Sequence, residues 1–388
     1  MASAQQDAGR PQELARTLGL DKNLTWKISK VVQEPNAFAA ISHFPGPASV
    51  RAFLKAFERA GASSASIQAV RQATADFEHV VRVHSNDRVT LEMMLNNLAA
   101  DSGRSRMEVH RRSLFRGVSA MWGVQARMQI SVHAVVPSED PDWVDVAWLS
   151  GLVDLRRLSR DTPWVITSVG KFADDGTALP VGAVEPLDPA FAAPSVAPLL
   201  WDFCSQPLPE VRIDRAGDGI TRYVLVEGPI GNVAASTCII GLLIRAAVRR
   251  TRADNYVYGE HGARLYTPTE LLVHDLFVHR DLEHALQPQS NVYSQMPGGV
   301  VYPACGIDRG LLPAGESLSS LGAPPDVVMT EFPLYRQMIE CVFSRQGWDL
   351  RQFHGFRLKL RYPPIPALAI LRYPLPAVGG GPGEPPKH

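Results

Sequence analysis

Two short helical patterns meet at Gly19, near the start of the 388-residue chain. The first pattern begins at Pro11, which suits the first turn of a helix, and carries Leu14 and Leu18 on one side. Gly19 ends it, because glycine readily adopts the positive φ that a sharp turn between two helices requires. Residues 11–32 therefore predict a helix, a tight turn and a second helix, and this restricts the fold more than any other stretch of the sequence.

The second helix is predicted over Lys22–Val32, with Asp21 as its N-cap. Leu24, Ile28 and Val31 recur at the spacing of one helical face, which we expect to be buried. The remaining surface is polar and basic, and it carries Lys22, Asn23, Trp26, Lys27, Ser29 and Lys30. The pattern thus predicts a helix that presents positive charge to solvent.

Three further amphipathic patterns predict that residues 11–112 form a helical module. They span Ala48–Ala60, Ser66–Val83 and Asp87–Ala100. The ten residues before Pro11 contain no apolar run and predict a disordered leader, residues 1–10.

The pattern changes after residue 112, and residues 113–376 predict a larger mixed α/β domain. Gln125–Val136 alternates as a strand does, with one apolar face. Trp143–Leu158 fits either a helix or a strand with a turn. Further strands are predicted at Trp164–Ser168, Arg222–Val226, Asn291–Ser294, Gly299–Tyr302, Arg357–Tyr362 and Leu368–Tyr373.

Three segments of this domain predict helices. They are Ala234–Arg249, Pro268–Phe277 with a capping box opening on Thr267, and Glu331–Arg345. Residues 377–388 are rich in Gly and Pro and predict a disordered tail. The expected fold class is therefore α+β with several domains, a helical module followed by a mixed α/β portion.

Charge and cysteine content restrict the classes of function. The chain holds 39 basic and 39 acidic residues, but residues 1–112 hold 15 Lys and Arg against 11 Asp and Glu, which suits a nucleic-acid-binding N-terminus. The four cysteines form no CxxC pair, so a cysteine zinc site is not expected, and a reduced, cytoplasmic protein is the simplest interpretation. We find neither a signal peptide nor an apolar run of the ~20 residues that cross a membrane, so no membrane partner is expected.

The segment Glu13–Leu20, ELARTLGL, resembles the helix-turn-helix of bacterial transcriptional regulators. Ala15 is small where the two helices cross, and Gly19 follows four residues later at the turn. The sequence departs from the family pattern at Thr25, where an apolar β-branched residue is usual. It also lacks the helix that normally precedes the pair, unless Ala48–Ala60 supplies that support.

The resemblance implies that the second helix enters the major groove of double-stranded DNA. Lys22, Asn23, Trp26 and Lys27 would then contact base edges. Arg16 and Lys30 would contact phosphates. It further implies a homodimer, and a C-terminal domain that senses a small-molecule effector or a partner.

Two alternatives remain open on the sequence. A metal-assisted hydrolase would use the cluster of ionisable residues at 258–281, with weak candidate ligands at His274, Asp275, His279 and Asp281. A non-catalytic interaction protein would use the N-terminal helices to bind protein.

No GxGxxG, P-loop or GxSxG motif occurs, so no cofactor is expected. Tryptophans in the middle of the chain could line a ligand pocket, among them Trp122, Trp143, Trp148, Trp164 and Trp201.

Overall fold

The computed structural model describes residues 11–98, 103–159, 163–172, 178–179, 181, 183–193, 195–215, 219–226, 228–253, 257–295, 310–312 and 317–377. The predicted leader 1–10, the strand at Gly299–Tyr302 and all but the first residue of the predicted tail lie outside these residues. The chain divides into two compact units between Met107 and Glu108. Both helices and β-sheets are present, as a mixed α and β fold requires.

Every regular element between residues 11 and 98 is a helix. The helices of the chain are α1 (Pro11–Leu18), α2 (Lys22–Gln33), α3 (Ala37–Ile41), α4 (Pro47–Arg59), α5 (Ser64–His84), α6 (Arg88–Leu98), α7 (Gly103–Trp122) and, in the second unit, α8 (Tyr335–Arg345). Five of the first six lie where the sequence predicts helices, and α3 occupies a stretch between two predicted helices. The division between the units falls inside α7.

The first unit has a small apolar core between α4 and α5. Val50, Leu54 and Ile67 are buried there. Phe44, Phe53, Phe57 and Ala62 pack against them. Arg88 at the start of α6 donates to the backbone carbonyls of Ile41 and Phe44, which ties α6 to the segment before α4.

The second unit is built on a seven-stranded mixed sheet with strand order β13-β14-β11-β1-β2-β9-β6. In this sheet β1 and β11 are parallel and the other neighbours are antiparallel. Two three-stranded sheets have the orders β10-β15-β12 and β3-β8-β7, and β4 pairs with β5. The strands are β1 (Val124–Pro137), β2 (Trp143–Arg157), β3 (Trp164–Val169), β4 (Lys171–Phe172), β5 (Ala178–Leu179), β6 (Val184–Pro186), β7 (Val211–Arg215), β8 (Thr221–Leu225), β9 (Ser236–Arg249), β10 (Tyr258–Leu265), β11 (Thr269–His279), β12 (Gln289–Ser294), β13 (Ser319–Gly322), β14 (Phe353–Arg361) and β15 (Ala367–Pro374).

The seven-stranded sheet is covered on both faces. On one face, which we call the helix face, Ile130 and Val273 pack in one cluster with Met338, Ile339 and Val342 of α8. On the other, which we call the sandwich face, a second cluster joins the sheet to residues of β10 and β15. Its central strands are therefore buried on both sides, as in a three-layer arrangement.

Two predicted helices are wrong. Ala234–Arg249 contains strand β9, and Pro268–Phe277 contains strand β11, so Thr267 opens no capping box. Strands buried on both faces read as nearly continuous apolar runs, and periodicity does not separate such runs from a buried helix. Trp143–Leu158, which fitted either structure, is the long strand β2.

A buried ion pair joins the sheet to α8. Asp275 on β11 and Arg357 on β14 stand directly opposite each other, with two guanidinium nitrogens donating to the carboxylate at 2.6 and 2.9 Å. The hydroxyl of Tyr335, at the start of α8, also donates to Asp275. Burial raises the pKa of Tyr335 well above its usual value, as does the nearby carboxylate, so the hydroxyl keeps its proton.

The substitution Arg357→Met should lower the free energy of unfolding by about 3–5 kcal/mol, because it leaves the Asp275 carboxylate buried without its cation. Lys359→Met is the matched control on the same strand. The Lys359 side chain is 41% exposed in its pair with Glu331, and we expect a loss of about 0–1 kcal/mol. Equal losses in urea unfolding of the two variants would contradict the structural role of the buried pair.

Candidate functional site

The turn and the N-cap of the N-terminal helix pair have the geometry that the sequence predicts, but the predicted buried face of α2 is wrong in part. The buried residues of α2 are Leu24, Thr25 and Ser29, whereas Ile28 and Val31 are only half-buried, because the contact surface is rotated toward the Thr25 side of the helix. Gly19 has a φ of +62°, and the Asp21 carboxylate caps α2 by accepting from the backbone amides of Asn23 and Leu24 at 2.9 and 3.1 Å. Ala15 and Leu24 are buried where α1 meets α2. The two helices are thus held by a tight turn, a cap and a small contact surface.

Thr25, the departure from the family pattern, is fully buried. Its hydroxyl donates to the carbonyl of Lys22 at 3.1 Å, within its own helix. A threonine hydroxyl that bonds back to the preceding turn brings no unsatisfied polar atom into a packed surface. The position therefore keeps its packing role with a polar residue.

All six predicted DNA-contacting side chains of the first unit are exposed. They are Arg16, Lys22, Asn23, Trp26, Lys27 and Lys30. Trp26 is 46% exposed. Its ring packs edge-to-face with the ring of His43, with 5.6 Å between the two centroids, and the Lys30 ammonium lies 6.0 Å from the centroid of the Trp26 ring. The indole is consequently held by neighbours while much of its surface stays open to solvent.

A groove of about 490 Å³ lies beside the start of α2. Asn23 and Lys27 line one side, and Ala48, Ser49 and Ala52 of α4 line the other. The first turns of α4 therefore stand next to the predicted base-contacting side chains, whereas the predicted α4 segment was expected only to support the pair.

The four weak metal candidates do not converge. The Asp275 carboxylate accepts hydrogen bonds from Arg357 and Tyr335 on the helix face. His274, the preceding residue of the strand, points to the sandwich face. His279 Nε2 lies 3.0 Å from Gln352 Oε1, and His279 Nδ1 lies 3.5 Å from the carboxylate of the exposed Asp281, so these two candidates form a pair without a third ligand among the residues that the structure describes. Within the described residues, no group of three His, Cys, Asp or Glu side chains is arranged to hold a metal ion.

Three histidines meet on the sandwich face, and the sequence did not predict this arrangement. The centroid of the His133 ring on β1 lies 5.1 Å from the centroid of the His261 ring on β10 and 5.3 Å from that of the His274 ring on β11. His274 Nε2 donates to the carbonyl of His261 at 2.9 Å, and its Nδ1 lies 3.3 Å from the carbonyl of Ser131. His261 Nε2 is 3.2 Å from the hydroxyl of Tyr373.

Burial keeps this histidine cluster neutral. It lowers the pKa of His133 well below its usual value, and repulsion from the other two rings adds to the effect. Burial and the nearby His274 lower the pKa of His261 to about 3. Burial also lowers the pKa of His274, although the carbonyls of His261 and Ser131 oppose it in part. All three imidazoles are therefore uncharged at neutral pH.

A cavity of about 160 Å³ opens beside the cluster. Its polar lining includes Ser131 and His133 of β1 and the hydrogen-bonded pair Ser150 and Thr167, at 2.8 Å. Apolar walls come from Val146, Trp148, Ile244, Ala247 and Val248. Of the tryptophans that the sequence singled out as possible pocket residues, Trp148 lines this cavity, and Trp122 and Trp164 line a more open surface pocket.

The chain matches no protein-family model and no curated protein. Among solved structures, a chain from Parabacteroides distasonis named as a "putative protease" is similar over 65% of this chain and 40% of its own length. The identity is 8% and the TM-score is 0.25. This chain thus spans less than half of that protein, and a TM-score this low establishes neither a shared fold nor a shared function.

No helix in the described part of the chain is both long enough and apolar enough to span a bilayer.

The histidine cluster predicts a loss of stability in mild acid. Unfolding returns each histidine to an ordinary pKa near 6.5, so below that pH the unfolded chain binds protons that the folded chain does not. The free energy of unfolding should therefore be independent of these histidines above pH 6.5. Below pH 6.5 it should fall as the pH is lowered, by up to about 1.4 kcal/mol per pH unit for each buried histidine.

Urea unfolding at pH 7.5, 6 and 5 measures this slope. His261→Gln should reduce it by about one histidine's share. His110→Gln, at an exposed position of α7 in the same unit, controls for the loss of a histidine. A free energy of unfolding that stays constant between pH 7.5 and 5 would contradict a neutral buried cluster.

Proposed function

We propose that the protein is a DNA-binding transcriptional regulator whose helix α2 contacts the major groove. The observation that carries the proposal is the exposure of all six predicted contact residues on a helix pair with a positive-φ glycine turn and a capped second helix. Helix N-terminal residues that project polar side chains into the major groove are the usual means of reading base edges.

The side chains divide into two roles under this proposal. Asn23 and Lys27 supply groups that pair with base edges, since an Asn amide can bond adenine bidentately and a Lys ammonium can reach guanine acceptors. Arg16 and Lys30 neutralise phosphates, which adds affinity and salt dependence without sequence preference. Lys22 and Trp26, at the start and middle of α2, belong with Asn23 and Lys27 to the group that contacts base edges.

The proposal includes a homodimer, because regulators of the type that ELARTLGL resembles bind two-fold operators as two-fold proteins. It also assigns the second unit to sensing a ligand or a partner. Sedimentation of the free protein and of its DNA complex tests the first point. A complex containing a single protein chain would remove the dimer from the proposal while leaving DNA contact by α2 in place.

DNA binding by the full chain should weaken steeply with salt. Lys30→Ala should lower affinity for all fragments alike and reduce the slope of log K against log salt by about 0.9, the share of one phosphate contact. Asn23→Ala should instead reduce discrimination between preferred and other fragments, by about 1–3 kcal/mol, at an unchanged slope. The measurement is binding to genomic fragments from 50 to 300 mM salt.

Lys55→Ala is the matched control, because Lys55 is an exposed lysine of α4 that does not line the groove beside α2. It removes the same charge and should leave both affinity and slope unchanged. Equal, salt-insensitive retention of DNA by the wild type and every variant would overturn the proposal.

A further inference from the structure

The cavity beside the histidine cluster contains two polar atoms without a partner. Ser131 Oγ and His133 Nδ1 are buried and have no hydrogen-bond partner among the described residues. The residues themselves are 1% and 6% exposed, and both line the cavity. A buried polar atom that stays unpaired costs about 1–3 kcal/mol, so two of them on one wall indicate that something else completes their hydrogen bonds.

The strand register explains why both atoms face the same space. Ser131 and His133 are two residues apart on β1, so both project to the sandwich face. Their neighbours across β2 are Ser150 and Trp148, respectively. Polar and aromatic groups thus alternate along one wall of the cavity, where a fully apolar core would be expected.

The size of the cavity fits one ring. Its volume of about 160 Å³ is close to the roughly 150 Å³ of a cavity that holds benzene in another protein. Trp148, Val146 and Ile244 supply the apolar surface against which the faces of a ring can pack.

The charges around the cavity favour an uncharged ligand. The imidazoles beside the two unpaired atoms are neutral at physiological pH. Glu260 and Arg264 also line the cavity and carry one charge of each sign, so the formal charge of the lining sums to zero. A ligand of either sign would lose hydration and would meet a like charge in the lining as well as an opposite one, which is costly.

The hydrogen-bonding atoms define the remaining requirement. A serine hydroxyl can donate and accept, and a neutral imidazole nitrogen does one or the other according to its tautomer. The ligand therefore needs donors or acceptors grouped along one edge of the ring. We propose that the second unit binds an uncharged, monocyclic heteroaromatic compound, with its polar edge at Ser131 and His133 and its faces against Trp148 and Ile244.

Binding of such a compound does not depend on the proposed DNA binding, although its use as a signal would rest on that function. Nicotinamide and uracil are suitable neutral probes, nicotinate is the charged counterpart of nicotinamide, and benzene lacks the polar edge. Ligand-observed NMR titration of the full chain without DNA should show saturable binding of nicotinamide or uracil. Nicotinate and benzene should bind at least tenfold more weakly.

Two variants locate the site. Ser131→Ala should weaken binding of the neutral probe at least fivefold without lowering the melting temperature, because it removes a polar atom that is unpaired in the free protein. Ala247→Leu should reduce binding by filling the cavity while leaving Ser131 and His133 in place. Ser119→Ala is the control, because Ser119 is buried in α7 and its hydroxyl donates to the carbonyl of Phe115, away from the cavity.

Several results would overturn the proposal. For so small a ligand we expect a dissociation constant of about 1 mM. One contradicting result is that neither neutral probe binds saturably up to 20 times that concentration, which would leave ordered water as the occupant of the cavity. Another is equal binding of nicotinate and nicotinamide, or of benzene and nicotinamide. A third is binding that Ser131→Ala and Ala247→Leu both leave unchanged. Since no DNA is present, none of these results bears on the helix pair.

Discussion

The ion pair between Asp275 and Arg357 specifies the register of β11 against β14 within the seven-stranded sheet. The two residues stand opposite each other on β11 and β14, and Tyr335 brings α8 to the same carboxylate. A slip of one residue would turn the guanidinium to the other face and leave a buried carboxylate alone. Because successive side chains of a strand alternate, Asp275 on the helix face puts its neighbour His274 on the sandwich face, where the pairing of β11 with β1 sets it beside Ser131. Adjacent residues of β11 therefore supply the buried ion pair on one face and a member of the histidine cluster on the other.

The sequence predicted the helical elements better than the strands, and burial explains the difference. Helices α1, α2, α4 and α5 each have one exposed face, so their apolar residues recur with a clear helical period. Strands β9 and β11 are buried on both faces and lost the alternation that marks a strand. Their length and apolar content then favoured helices. Gln125–Val136 was recognised because its two faces differ in polarity, although both of them are buried.

That last strand also shows why the cavity could not be predicted. An apolar face on β1 implies that the alternate residues Gln129, Ser131 and His133 face water, as in a sheet with one solvated side. The second sheet covers them instead, and only the tertiary structure brings His261 and His274 to the same place. The sequence did single out the ionisable stretch 258–281, but it grouped the residues by position along the chain, and the structure separates them across two faces.

The two candidate sites differ in the physics that would drive binding, and salt separates them. Lys22, Lys27 and Lys30 of α2 are exposed cations, so their contacts with phosphates would release counterions and weaken as salt rises. The cavity offers neutral donors and acceptors at Ser131 and His133 and apolar walls beside them. Binding of an uncharged ring there changes no ion atmosphere, so its affinity should be nearly constant over the range of salt in which DNA dissociates. If the ligand changed the affinity for DNA, the two sites would be coupled. The change would then be seen at every fixed salt concentration, and the slope of log K against log salt would stay the same.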